Sequence, residues 1–374
     1  MSLQSKIGVF VISVIWSSMS LAKSSELKWT HYGLRPLGMG NAYVAVADDY
    51  NALFYNPAGL ARLKTWDGEL LNPTMTVSQS LIQNIMNASE LASDFDSTEA
   101  ALAAFQEMSG QSQYVSIGLT PHLIFKGFGF GIGIENVNSL IAHNDIEIEA
   151  NVGINVIAPI SYARSVLDDR LSLGITAKFV GRGGVDETFN IEDLAVFSKK
   201  SDENSGETKK LSDYAEGGYG VGVDTGLLFT PSEHMEPTIG ISITDIGGTP
   251  YQKASVVGTS IKAPAARLPS VNTGISFKPW STQRSYILLA ADSHAINHPV
   301  HYSHKVNFGF EWGFLDIIKL QTGLKGGYLT AGLQFDIGLF NLRAVTYAED
   351  RGPVVGLHDD LIERRYALQL KLLI

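Results

Sequence analysis

Four histidines, His294, His298, His301 and His304, fall within eleven residues of one another. Imidazole is the commonest metal ligand, and a zinc site would need at least three of these rings aimed at one point. Pro299 and the start of a strand lie among them, and His301 and His304 differ in parity. On a regular strand those two would face opposite sides. The spacing therefore favours a solvated connection, with Tyr302 and His304 near a membrane interface, and no metal ligand is assigned. Hydrolysis would require a serine, a histidine base and an orienting polar group within hydrogen-bond reach. The chain has many serines and nine histidines, but no local signature singles out such a set. No catalytic residue and no cofactor is assigned, and the chain reads as something other than an enzyme. The charges that remain to be explained, Lys178, Asp224, Glu311, Lys319, Asp336 and Arg343, sit on the polar faces of strands. They are expected to pair with one another or with Arg35, Asp48 and Asp49.

The elements that carry these residues show period two. Val306, Phe308, Phe310 and Trp312 oppose Asn307, Gly309, Glu311 and Gly313; Leu171, Leu173, Ile175, Ala177 and Phe179 oppose Ser172, Gly174, Thr176, Lys178 and Val180. Such alternation marks a sheet with one apolar and one polar face. Fourteen strands are expected, near 68–80, 112–121, 127–136, 151–166, 170–185, 216–230, 236–246, 267–278, 284–293, 302–313, 316–325, 329–338, 341–349 and 364–374. The last of them places Tyr366, Leu368, Leu370, Leu372 and Ile374 on one face and Ala367, Gln369 and Lys371 on the other. A membrane barrel needs that pattern to close its final strand on its first.

Long polar connections (81–110, 186–216, 247–266 and 350–363) largely alternate with short turns (167–170, 231–237, 278–284, 314–316 and 338–341). Long extracellular loops and short periplasmic turns give that pattern. At the start of the chain, Lys6, the apolar run from Ile7 to Trp16 and Ser20-Leu21-Ala22 read as a secretory signal with its cleavage site, residues 1–22. That run is too short to span a bilayer as a helix, and beyond it no apolar window has transmembrane-helix length. A membrane reading then requires a closed barrel, since only helices and barrels satisfy every backbone group in lipid. The net charge of −10 argues against nucleic acid as a partner. The absence of cysteine removes disulfide and thiol chemistry.

Inward glycines suggest that something is packed inside. Gly129, Gly131 and Gly133 share one strand face, and Gly220, Gly222 and Gly226 share another. Glycine in a strand marks the close approach of another backbone, or else a bend that curvature demands. The candidate filler is the stretch 23–64, too densely punctuated by Gly and Pro for one long strand. Within it Tyr43 to Ala47 are apolar and need burial, and Asn51 to Tyr55 can form one helical turn that Asn56-Pro57 ends.

Residues 33–62, GLRPLGMGNAYVAVADDYNALFYNPAGLAR, resemble the N-terminal hatch of FadL-type outer-membrane transporters and the related PorV-type proteins. The resemblance rests on Gly38-Met39-Gly40, on Ala45 to Asp49 and on Asn56-Pro57-Ala58, with order and spacing matching together. It implies an all-β fold, a 14-stranded antiparallel transmembrane β-barrel (65–374) with the hatch inside its lumen. It implies a location in the outer membrane, among its lipids, and a channel for hydrophobic small molecules such as long-chain fatty acids. Gly38, Gly40, Asp48, Asp49, Asn56, Pro57 and Ala58 would then shape the gating hatch. Ligand would leave sideways through the wall, where a kinked strand makes a gap, with Pro159 as one candidate. The PorV-type members imply an alternative, a partner of secretion-machinery proteins that need not carry lipid. Ile374 departs from the terminal aromatic that such barrels often carry. In the first long connection Leu81, Ile82, Ile85, Met86, Leu91, Ala92 and Phe95 recur at helical spacing, and 100–108 could form a second helix. Leu81, Ile82, Ile85 and Met86 could capture a lipid tail, or else pack on the barrel rim.

Overall fold

The computed structural model describes residues 33–91, 111–142, 147–189, 214–254, 261–315, 317–338, 340–350 and 362–372. The segment read as a signal, the second helix at 100–108 and the terminal Ile374 lie outside them. Fourteen antiparallel strands form the wall. β1 comes in two pieces, Asp67–Glu69 and Thr74–Ser78; so do β2, Ser112–Leu119 and His122–Phe125, and β3, Phe128–Gly131 and Gly133–Ala142. The rest are β4 Ile148–Val166, β5 Leu171–Phe189, β6 Ala215–Phe229, β7 Thr238–Thr244, β8 Ser270–Ser281 and β9 Ser285–Ser293. They continue as β10 Val306–Phe314, β11 Ile318–Lys325, β12 Tyr328–Asp336, β13 Phe340–Asp350 and β14 Ile362–Leu372. Each strand pairs with the next, and β14 returns to β1 from Arg365↔Ser78 to Gln369↔Thr74. The barrel is closed, so no edge is left unpaired.

The alternation read from sequence is the alternation of the wall. On β14, Tyr366, Leu368 and Leu370 face out while Ala367, Gln369 and Lys371 are buried inside. The outward apolar band ends in aromatics at the rim that carries the short turns: Trp66, Phe125, Phe128, Tyr162, Trp280 and Phe314 are all exposed there. Aromatic girdles of this kind mark a membrane interface. Two details differ from expectation. Residues 302–304 form a 3₁₀ turn and β10 starts only at Val306, so the parity argument for His301 and His304 does not apply. The β11–β12 connection, on the long-loop side, is a two-residue Gly326-Gly327 turn with φ of +51° and +88°.

Three neighbouring strands are interrupted at one level. β1 pairs with β2 from Thr74↔Gly118 to Val77↔Val115, then one residue out of register from Asp67↔Ile124 to Glu69↔His122. The bulge spans 70–73 and exposes Leu70 and Leu71. Thr120 and Pro121 interrupt β2, and Ile132 interrupts β3. Between Phe130↔Ile160 and Gly133↔Ile157 the β3–β4 ladder lacks two rungs, opposite Ala158 and Pro159. Proline has no N–H for the ladder, so Pro159 accounts for the lost pairing at this step. Its own strand runs unbroken, however, and Pro159 pairs with Lys178 on the other edge. The break is in β3, one strand away from the kink expected in β4. Asn72 stitches the bulge: its Nδ2 donates to Thr120 O at 2.8 Å and its Oδ1 accepts from Thr120 N at 2.7 Å.

Candidate functional site: the segment inside the barrel

Residues 33–63 lie inside the barrel, with almost every side chain buried. α1 (Leu34–Gly38) is followed by a tight turn at Gly40 (φ +62°) and Asn41 (φ +66°). α2 (Ala52–Tyr55) ends at Asn56, and a 3₁₀ helix runs over Pro57–Arg62. Asn56 caps that helix through Oδ1, which accepts from Ala58 N, and proline sits at its first position, where no N–H is required. Tyr43, Val46, Leu53, Phe54, Tyr55 and Leu60 form the centre of an apolar cluster that also takes in Ile124, Ile157, Ala163 and Val180 of the wall.

Glycines in the wall are the seats for this segment. A Cβ at Gly309 would lie 2.6 Å from Met39 O, one at Gly323 2.5 Å from Gly40 N, one at Gly240 2.6 Å from Val44 O and one at Gly174 2.7 Å from Pro57 O. Gly129 and Gly131 admit Leu53, and Gly226 admits the Asn56 side chain. Space for the inner segment, its backbone at Gly174, Gly240, Gly309 and Gly323 and its side chains at the other three, is therefore the reason for these residues. Gly220 and Gly222 serve a different neighbour: they face Pro250 and Thr249, in the connection after β7.

Three polar knots fasten the segment to the wall. In the first, Arg35 Nε and Nη2 donate to Glu311 Oε2 and Oε1 at 2.7 and 2.8 Å, while Nη1 donates to Asp48 at 2.5 Å and Asp49 at 3.2 Å. Tyr286 OH and Gln321 Nε2 also donate to Glu311. Sequence reading foresaw a wall charge pairing with Arg35, as Glu311 does, whereas Asp48 and Asp49, expected to pair with wall charges, meet Arg35 within the inner segment. In the second, Asp292 Oδ2 accepts from the N–H groups of Tyr43 and Val44 at 2.5 and 2.7 Å and faces His294 Nε2 at 3.2 Å. His294 Nδ1 meets Asn41 Nδ2 at 3.3 Å, and Tyr55 OH donates to Asn41 Oδ1 at 2.6 Å. His294 thus leaves the loop cluster and works as a buried strut, whereas His301 and Tyr302 are exposed. In the third, the Tyr50 ring stacks on His122 at 4.2 Å and lies under Arg343 at 5.5 Å.

That third knot contains Asp67, Glu69 and His122, whose ligand atoms lie within 4.8 Å of one another and by donor type could hold a divalent cation. Lys371 Nζ stands 3.1 Å from Asp67 Oδ1 and 3.0 Å from Glu69 Oε1, and Arg343 Nη2 stands 3.6 Å from Glu69. Two cations already balance the two carboxylates, so the cluster is an ionic clamp between β1, β2, β13 and β14. Nothing in the sequence pattern singled out His122 or Tyr50, and His294 stood out only within the histidine cluster read as a solvated connection. The clue available was their position on polar strand faces or beside the AVADD stretch.

Asn56 Nδ2 donates to Val44 O at 2.8 Å and Leu227 O at 3.2 Å, tying the inner segment to β6. Gly38 and Gly40 reach β12 through Thr330 Oγ1, which donates to Gly38 O at 2.9 Å and accepts from Gly40 N at 3.0 Å. Leu81, Ile82, Ile85 and Met86 all fall on α3 (Gln79–Leu91), far from this site; Leu81 and Ile82 are half-buried, while Ile85 and Met86 are exposed. The structure does not bring them together with the inner segment.

Asp48 is one of the groups through which the first knot responds to acid. Burial works to raise its pKa, but the Arg35 guanidinium outweighs this and holds the carboxyl at about 2. The depressed value means that the contribution is complete above the ordinary value of 3.8 and is lost as pH falls through about 2. Protease access to the inner segment of the reconstituted barrel should therefore be flat from neutral pH to about 4 and rise only below about 3.

The fold defined here is a closed outer-membrane-type barrel with a packed segment in its lumen. No sequence family matches the chain, and no curated protein is similar to it in sequence. Among solved structures it is similar to the TodX deltaS2S3 mutant monoaromatic hydrocarbon channel, at a TM-score of 0.51 and 12% identity over 91% of this chain and 97% of that one. Two others are the P. putida toluene transporter TodX (TM-score 0.49, 12% identity, 92% and 97% covered) and a Pseudomonas aeruginosa FadL homologue (0.47, 11%, 92% and 99%). At 12% identity, the likeness to the TodX deltaS2S3 channel is one of fold alone.

Proposed function

We propose that this protein is an outer-membrane channel for hydrophobic molecules, such as long-chain fatty acids or hydrocarbons, with the segment 33–63 as its gating hatch. The reading takes residues 1–22 as a cleaved export signal and 23–64 as the hatch domain. One observation carries it: the wall ladder is interrupted at one level across β1, β2 and β3, and apolar hatch residues stand directly behind. Leu53 sits on Gly129 and Gly131, against Ile124. On the outside, Leu70, Leu71, Phe130 and Ile132 are exposed at the same level. Withdrawing Leu53 would open the apolar cluster of the hatch to the bilayer. Each methylene that avoids water on that route is worth about 0.8 kcal/mol. The solved channels of this fold act on toluene and monoaromatic hydrocarbons, which supports an apolar cargo.

A PorV-type role as a partner of secretion machinery is the second reading, and the lumen beyond the hatch favours it. That lumen is polar and cross-linked. Lys178 Nζ lies 2.7 Å from Asp224 and 3.1 Å from Asp245; Arg182 pairs with Glu216 and Asn151; Arg365 stacks on Tyr114 and binds Glu363 at 2.7 Å. An apolar cargo finds little there to bind.

Tethering the hatch separates the readings. The chain has no cysteine, so Leu53→Cys with Gly129→Cys forms a defined pair, bridged directly or through a short bis-maleimide. Labelled oleate and toluene would be offered to a host lacking its own fatty-acid transporter, with barrel insertion confirmed separately. The channel reading expects saturable uptake that the tether abolishes and reductant restores for the disulfide. Uptake indifferent to the tether refutes hatch gating, and no uptake of either compound by the untethered, inserted barrel puts the scaffold reading first.

A further inference from the structure

On the wall facing away from the β1–β3 break, β8 to β12 carry an outward groove of about 580 Å³. Its sides are Ile275, Phe277, Phe308, Phe310, Leu324 and Leu329. Its floor is a row of small residues, Ala290↔Gly309↔Gly323, paired across β9, β10 and β11. The same glycines seat Met39 and Gly40 on the inner side. The three floor residues point inward and show only backbone on the outer face, and the small outward side chains Ala291 and Thr322 between Phe277, Phe308 and Phe310 leave that face concave. The ladder here is unbroken from Asn307↔Lys325 to Phe314↔Ile318, so the groove is a pocket and not a passage.

We propose that this groove binds one phosphorylated acyl lipid from the extracellular-side leaflet. The acyl chain follows from place and chemistry: an apolar recess within the lipid-facing band. The leaflet follows from topology, because Leu324 and Leu329 flank the Gly326-Gly327 turn on the long-loop side. The head group follows from the rim. Arg364, outward on β14, reaches across β13 and donates from Nη1 to Leu329 O at 2.8 Å. A guanidinium has five N–H donors in a planar fork suited to phosphate, so that bond leaves donors for a phosphate oxygen beside Leu329 at the groove's edge. The pocket is independent of the hatch reading, because neither the rim nor the sides belong to the β1–β3 break.

The full-length barrel, extracted from outer membranes and exchanged into mild detergent, would be weighed by native mass spectrometry and its bound lipid extracted. The assignment expects about one retained phosphorylated lipid per barrel, with extraction telling a phospholipid from a phosphorylated glycolipid. Leu329→Trp, which fills the groove, and Arg364→Gln, which removes the cation, should each lower retention about tenfold, as loss of a charge-assisted bond or of the apolar seat implies. Val221→Trp, an equally exposed position on β6, is the control and should change nothing; heat-modified migration on gels confirms that each variant is folded. A wild-type barrel without phosphorylated lipid, or equal retention in all variants, overturns the site. Loss with Leu329→Trp but not with Arg364→Gln overturns the phosphate assignment in favour of a neutral occupant.

Discussion

Glu311→Ala should unfasten the hatch and lower the melting temperature of the barrel in detergent more than any other single truncation of a hatch contact. Glu311 is fully buried, takes both prongs of the Arg35 guanidinium and also accepts from Tyr286 and Gln321. Truncating one partner of a buried ion pair costs about 3–5 kcal/mol, because the other charge stays behind without its counterion. Here the loss is moderated by Asp48 and Asp49, which still hold Nη1, although the Asp48 side chain is 42% exposed and screened by solvent. The orphaned hydroxyl and amide add about 1–3 kcal/mol each where they stay buried. If the hatch is the gate, open-channel current in planar bilayers should rise together with protease access to the inner segment. Replacing both partners with apolar residues, Arg35→Leu with Glu311→Leu, should recover a large part of the loss, since well-packed apolar pairs often match buried ion pairs. Additive losses in that double variant, or a melting temperature unmoved by Glu311→Ala, would show that the pair does not fasten the hatch.

The wall was legible because a barrel strand sees two solvents, and period two records them residue by residue. Val306 to Phe314 and Tyr366 to Leu372 reveal their faces without any structure. The short helix before Asn56-Pro57 and the burial of Tyr43 to Ala47 were legible too, from proline sterics and from the cost of leaving five apolar residues in water. The hatch seats were only half legible. Gly129, Gly131 and Gly226 stand out in glycine-rich strands, whereas Gly174 and Gly240 are isolated among ordinary alternating residues and carry no local mark. His294 was hidden in a different way: three neighbouring histidines gave it the look of a loop cluster. Its role depends on Asp292 and Asn41, the latter separated from it by 253 positions in sequence. The breaks in β1 to β3 are also long-range. Pro159 was visible, but its effect falls on the strand beside it, and only register reveals which strand that is.

Gly174→Val tests whether such an unmarked glycine holds the Asn-Pro-Ala turn in place. Gly174 is on the inner face of β5, and a Cβ there would meet the backbone of Pro57 and Ala58, with Pro57 O at 2.7 Å. Backbone cannot rotate out of the way as a flexible side chain can. The turn must move, and with it Asn56, whose amide ties Val44 to Leu227. Overpacking of this kind costs about 1–3 kcal/mol and sometimes more, and the Asn56 bonds are lost in addition. The wall itself should survive, because the β5 ladder to β4 and β6 does not involve side chains. Gly183→Val is the matched control: it places the same substitution in the same strand, where a Cβ has nothing within 4 Å. The expected result is a folded barrel in both variants, with hatch proteolysis and leak current raised in Gly174→Val alone. Equal behaviour of the two would mean that valine at position 174 costs only strand propensity and curvature, and that the Asn-Pro-Ala turn is seated by something other than the wall glycine beneath it.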